Sequence, residues 1–264
     1  MIRTLVVRSG ALGDFVLTLP LIARALDDGA VDVVCPARFA CLLPDGAARL
    51  ADEGWLWRGG PPPRAWDRAV VFSASAAEAS RACGLPTIAR AARPAPGLHA
   101  ASHALAAIVP GAERARPPRP VVRATPDPRE PGHPVVLAPG SGGVHKRWPL
   151  ERWRAVAGAL ARAGVPVRWV RGPDEVEEGG WPSDAVSPDL PGLCALAAAA
   201  GAWAGPDAGP SHVAAAVGAP AFIVFGPTDP AEWAPPAATV LPWDVEPLAL
   251  ATILARARGV RGQP

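Results

Sequence analysis

The chain has 264 residues, half of them hydrophobic, with 26 Lys or Arg against 24 Asp or Glu and a formal charge of +2. A chain of this length buries a large core and divides naturally into two domains, and its scattered basic residues form no stripe of the kind nucleic acid requires. The 34 prolines and 27 glycines punctuate regular apolar runs, which sets the chain apart from disordered sequences.

In chain order, Ile2 to Val7 reads as a buried strand, Ser9 to Gly13 as a tight turn, and Asp14 as the opening of a helix to about Leu26. The apolar run from Phe15 to Ala23 is far shorter than the ~20 residues that span a bilayer. Arg3 and Arg8 precede it as in a secretory signal, but Asp14 at its start and the strand before it argue against one. Val31 to Val34 and Ala69 to Phe72 are short apolar runs typical of buried parallel strands. Cys35, Cys41, Cys83 and Cys194 show no metal spacing, which fits buried thiols in a reducing cytoplasm. Trp55, Trp57 and Trp66 read first as core, with sugar or lipid contact as the alternative. From Arg114 to Pro134 the sequence turns Pro- and Arg-rich, as an interdomain linker does.

Beyond the linker, Pro134 to Ala138 reads as a strand, followed by a glycine-rich loop and a helix from Leu150 on which Trp153, Val156, Ala157 and Leu160 share one face. Then come a strand from Val165 to Val170, a helix from Gly192 to Ala200, a short strand at Ala202 to Ala204, a helix from Ser211 to Val217, and a strand from Ala221 to Phe225 ending in Gly226-Pro227-Thr228. The alternation predicts two Rossmann-like βαβ domains, 1–125 and 126–246, facing each other across a cleft at the carboxyl ends of their strands. The C-terminal helix, 247–264, is expected to pack back toward the first domain.

The only lysine is Lys146, in the loop Ala138-Pro139-Gly140-Ser141-Gly142-Gly143-Val144-His145-Lys146-Arg147-Trp148-Pro149; the other 25 basic residues are Arg. A compact ammonium beside close-approaching glycines, Ser141 and Gly142 among them, points to a phosphate. The alternative is a surface turn with an accidental Lys. Asp207-Ala208-Gly209-Pro210-Ser211-His212 lies between a strand and a helix, where helix N–H groups attract an anion. Taken singly, Asp207 also suits a helix N-cap, and His212 a satisfied structural histidine. Two anion loops in one domain suggest a diphosphate. Asp14, with Gly10 and Gly13 clearing space at the first βα turn, reads either as a general base or as a helix cap. Glu175, Glu177 and Glu178 are candidates for a ribose hydroxyl, or a solvated charge run. A nicotinamide dehydrogenase would need Gly-x-Gly-x-x-Gly after the first strand, and Gly10-Ala11-Leu12-Gly13 is not that pattern.

Three stretches together resemble glycosyltransferase family nine, the ADP-heptose:lipopolysaccharide heptosyltransferases. They are Leu5 to Pro20, the loop through Lys146-Arg147-Trp148-Pro149, and Asp207 to Pro220 with its strand to Thr228; residues 30 to 130 match loosely. The resemblance implies a GT-B architecture with an amino-terminal acceptor domain and a carboxy-terminal nucleotide-sugar domain. It further implies transfer, with inversion, of a sugar, a heptose in the family, from an ADP-linked donor to a cell-envelope glycan such as the lipopolysaccharide core. Carried onto this chain, Asp14 is the expected base, and Lys146, the backbone around Gly209 and nearby His212 the diphosphate site. Glu175 after Gly172 is the expected ribose ligand. No Asp-x-Asp pair is present, so no metal or other cofactor is expected, and the partners are the donor and a lipid-linked glycan at the inner face of the cytoplasmic membrane. The family usually has Ser or Thr where this chain has Ala208, and members are typically longer in the acceptor domain. A nucleotide-sugar-binding protein without transferase activity, or a transferase with another donor, is the alternative.

Overall fold

The computed structural model describes residues 1–130, 132–172, 175 and 180–261. Two compact units divide the chain, Met1–Val121 and Val122–Pro264.

The first unit is a parallel sheet with helices between its strands. It runs through β1 (Thr4–Val7), α1 (Leu12–Asp28), β2 (Val31–Val34), β3 (Ala47–Arg49), α2 (Gly54–Arg58), β4 (Arg68–Val71), α3 (Ala74–Ala82), β5 (Thr87–Ala89) and α4 (Ala100–Leu105), with strand order β3-β2-β1-β4-β5. The β-branched runs of β1, β2 and β4 occupy the middle, where a strand is covered on both faces. Val7 is level with Val34 and Val71, so Arg8 and Phe72 leave the sheet side by side at its carboxyl edge. Strand order reverses between β1 and β4, and crevices at such points are where α/β sheets bind ligands. Trp55 and Trp66 stack at 5.5 Å within the core formed with Leu5, Val7 and Val71, whereas Trp57 is 47% exposed.

The second unit contains β6 (Val135–Leu137), α5 (Leu150–Arg162), β7 (Val167–Trp169), α6 (Leu190–Ala199), β8 (Ala202–Pro206), α7 (Gly209–Val217), β9 (Ala221–Phe225), α8 (Pro230–Trp233), β10 (Thr239–Pro242) and α9 (Pro247–Arg261), with order β10-β9-β8-β6-β7, all parallel. Its reversal falls between β6 and β8. Trp153, Val156 and Leu160 of α5 are buried as the 3.6-residue period predicts, Trp153 set edge-on to Trp148 at 4.9 Å. The C-terminal helix α9 is built into this core through Leu250, Ala251 and Leu254, and Arg258 donates to the Gly132 and His133 carbonyls. Cys35 and Cys194 are buried thiols as expected, while Cys41 is exposed. No helix among the described residues is long and apolar enough to cross a membrane.

Candidate functional site

In the second unit, β6 and β8 run side by side, so the loops leaving their carboxyl ends meet although far apart in sequence. Asp207 leaves β8 and is 5% exposed. Its carboxylate gathers three donors: Lys146 Nζ at 2.8 Å and Thr228 Oγ1 at 2.8 Å on Oδ2, and His212 Nε2 at 3.1 Å on Oδ1. The donors come from three loci, the loops after β6 and β9 and the first turn of α7. Burial pushes the Asp207 carboxyl up, but the His212 hydrogen bond and charge, then those of Lys146, outweigh it and hold the group well below the usual carboxylate range. Because the carboxylate only accepts, His212 Nε2 carries a proton; among the described residues its Nδ1 and the Ser211 hydroxyl are buried without a hydrogen-bond partner.

Asp207 is not the helix cap. The N-cap of α7 is Ala208, in extended backbone, and no side chain caps the helix. That leaves the positive end of α7 available to an anion. Lys146 is 27% exposed, and an ammonium with one hydrogen on Asp207 keeps two more to donate. The glycine-rich loop is braced from within: Gly143 N–H donates to Ser141 Oγ at 3.2 Å, and Arg147 Nε to the Ser141 carbonyl at 2.7 Å.

Glu175 is 2% exposed, which rules out a solvated charge for it; Glu177 and Glu178 lie outside the described residues. Its Oε2 accepts from Gly172 N–H at 2.6 Å and its Oε1 pairs with Arg147 at 3.1 Å. Gly140 and Gly172 pass directly over the carboxylate, where a Cβ on either would collide with it.

In the first unit, Asp14 is the third residue of α1; the N-cap is Ala11, and no side chain caps this helix either. Here too the cap reading is set aside. Asp14 Oδ2 lies 3.6 Å from Nη2 of the buried Arg8, and Gly10 is required for its backbone, at φ 137°, rather than for space, since a Cβ there would meet Asp14 Oδ2 at an ordinary 3.8 Å. Burial lowers the Arg8 pKa, with the Asp14 charge opposing.

The model of glycosyltransferase family 9 (heptosyltransferase) matches residues 111–243, just over half of the sequence. The chain belongs to that family. Lipopolysaccharide heptosyltransferase 1 of Pseudomonas aeruginosa is 34% identical over 110 residues, 38% of this chain and 31% of the relative, so the match spans about a third of the curated relative's length. The fold is that of ADP-heptose LPS heptosyltransferase II of E. coli, with a TM-score of 0.78 at 19% identity over 99% of this chain and 100% of the other. An iron-containing dodecameric glycosyltransferase, TibC of enterotoxigenic E. coli, matches with a TM-score of 0.65 at 17% identity, over 90% of this chain and 62% of that one. Among the described residues, no group of three or more His, Cys, Asp or Glu side chains is placed to hold a metal ion.

Of the residues singled out from the sequence, this family 9 member brings Lys146, Asp207 and His212 into direct contact, with Ser141, Gly142, Ala208 and Gly209 on the same two loops. Thr228 and Arg147 were missed as site residues. The signal for Thr228 was its place three residues after the end of β9; for Arg147, its adjacency to the lone lysine.

Proposed function

We propose that the protein is a GT-B glycosyltransferase that moves a sugar, a heptose, from an ADP-linked donor to a lipopolysaccharide-type glycan, with inversion and without a metal, at the inner face of the cytoplasmic membrane. Family membership and the names of its relatives support the reaction class, donor and acceptor. The observation that carries the reading in this chain is the solitary Lys146, anchored on buried Asp207 beside the uncapped start of α7.

In this reading the donor diphosphate lies on the free hydrogens of Lys146, on the backbone at Ala208 and Gly209, and along the Ser141-Gly142 turn. Asp207 holds the cation rather than touching the anion, which it would repel. Glu175, expected from the sequence to meet the ribose, is buried with Gly172 N–H on one oxygen and Arg147 on the other, so it braces the loop and is not assigned to the ribose. Asp14 takes the proton from the acceptor hydroxyl as its oxygen bonds to the anomeric carbon. The bond from that carbon to the diphosphate breaks on the opposite face, and ADP leaves with the electron pair. Lys146 and the α7 dipole meet the departing charge in place of a metal.

The test is ADP release from ADP-heptose with a heptose-deficient lipopolysaccharide as acceptor. Lys146→Ala lowers kcat by about 10²–10³-fold, as loss of one preorganised donor does, and Lys146→Arg also impairs it. Asp14→Asn lowers transfer by about 10²–10⁴-fold with ADP affinity unchanged, and EDTA leaves wild-type turnover intact. Full turnover in both Lys146 variants removes the phosphate role; loss of activity in EDTA removes the metal-free mechanism. Ala208, which lacks the hydroxyl usual in the family, favours a second reading, a nucleotide-sugar-binding protein without transfer. Calorimetric binding of ADP-heptose with no ADP release would select it.

A further inference from the structure

Arg8 has no part in the mechanism above, yet it is the most deeply buried charge at the carboxyl edge of the first sheet, 5% exposed. Taking a guanidinium out of water costs several kcal/mol unless the surroundings compensate, so its contacts show what the cation is there for. Three segments fix it. Its backbone N–H bonds to the Val34 carbonyl at 3.0 Å, continuing the β1–β2 ladder. Nη1 and Nη2 both donate to the Ala92 carbonyl, at 3.2 and 3.3 Å. The guanidinium carbon sits 4.8 Å from the centre of the Phe72 ring, at the end of neighbouring β4. Among the described residues Nε has no partner, so the site is not built to satisfy the arginine fully. Among the described residues the one carboxylate paired with it is Asp14, with Oδ2 3.6 Å from Nη2. That distance is an ion pair and not a hydrogen bond.

The asymmetry at Asp14 is informative. On the first turn of a helix with no cap bond, a carboxylate that is 31% exposed would rotate among rotamers at little cost. A fixed cation on one side biases it, drawing Oδ2 toward the guanidinium. We propose that Arg8 is a positioning residue for Asp14, holding one carboxylate oxygen so that the other is presented to the acceptor hydroxyl. This rests on the reading of Asp14 as the base. Misplacing a catalytic group by about 1 Å costs on the order of 10²-fold in rate, which sets the scale of the effect.

The experiment measures ADP release from ADP-heptose with heptose-deficient lipopolysaccharide for Arg8→Met and Arg8→Lys, each alone and combined with Asp14→Asn. ADP affinity by calorimetry and thermal unfolding are followed alongside. Arg8→Met is expected to lower kcat about 10–100-fold with ADP affinity within twofold of wild type, and Arg8→Lys to recover part of the loss. On the residual rate of Asp14→Asn, Arg8→Met is expected to change nothing further, because it acts only through the carboxylate. Multiplying losses in the double variant mean general damage and overturn the proposal, as does wild-type kcat in Arg8→Met. Should Arg8→Met fail to fold, Arg8→Lys decides by the same criterion. If Asp14→Asn alone retains transfer, the base reading falls and this inference with it; if Asp14→Asn is crippled while the Arg8 variants are not, only this inference falls.

Discussion

Asp207 shows why the one lysine is a lysine. Its carboxylate takes a single hydrogen from Lys146 Nζ, and the compact ammonium has two left for a ligand. A guanidinium in that place would pair with the carboxylate through its planar fork and spend its donors inside the protein. The same residue makes a stability prediction. Its pKa in the folded chain is depressed, so its stabilisation is complete above the unfolded-state value of about 4 and fades as pH falls through the lower folded one. Asp207→Asn removes the charge and aims an amide N–H₂ at groups that are themselves donors. The variant is expected to be less stable at pH 7 by about 2–3 kcal/mol, at the low end for breaking a buried pair because Lys146 is partly solvated. The difference from wild type shrinks as pH drops below about 4. Urea midpoints at pH 7 and in acid measure it, and a gap that stays constant or widens in acid would contradict the assignment of this charge as the anchor.

Helix α7 is preceded by its N-cap Ala208, whose backbone has the extended geometry of a cap but whose side chain accepts no hydrogen bond. Ala208→Ser supplies the missing acceptor and is expected to stabilise the ligand-free protein by about 1 kcal/mol, a rise in Tm of about 2–4 °C for a chain of this size; unchanged unfolding would mean that the α7 amides are satisfied in another way. The same element marks what the sequence could and could not reveal. Strands β1, β2, β4, β6, β8 and β9 were readable because each is an apolar run lying inside a sheet and covered on both faces, and β7, although an edge strand, was readable because its three residues include no exposed position. Strands β3, β5 and β10 were not recognised: they form sheet edges, have three or four residues, and include exposed positions. An edge strand is held by its neighbour's backbone and needs little apolar content of its own. The two anion loops were readable as motifs, Lys146 through its glycines and Asp207 through the strand-to-helix context. That the first would be anchored by the second was not, because the 61-residue separation closes only when β6 pairs with β8. Arg8 was passed over for a similar reason: in sequence it flanks an apolar run, and only the Ala92 carbonyl and the Phe72 ring make it a buried fixture.

At the scale of the whole chain, each unit has its own parallel sheet and its own core. The second core is closed by α9, whose Leu250 and Leu254 are fully buried against it. The residues proposed to hold the donor, Ser141 to Lys146 and Asp207 to His212, all belong to that unit, and a domain that contains its own core can in principle fold alone. Residues 122–264 expressed by themselves are therefore expected to unfold cooperatively and to bind ADP with a Kd within about threefold of the full chain, since the proposed contacts to the nucleotide are retained. At an ADP concentration of 100 times Kd the fragment should gain about 2.7 kcal/mol, and Lys146→Ala in the fragment should weaken ADP about 10–100-fold, the loss of one charge-assisted hydrogen bond. Transfer should be absent, because Asp14 lies outside the fragment. Calorimetry and thermal unfolding decide the matter: a folded fragment that ignores ADP would move the nucleotide site away from the Lys146 and Asp207 loops, and an unfolded one would show that the second core depends on the first 121 residues.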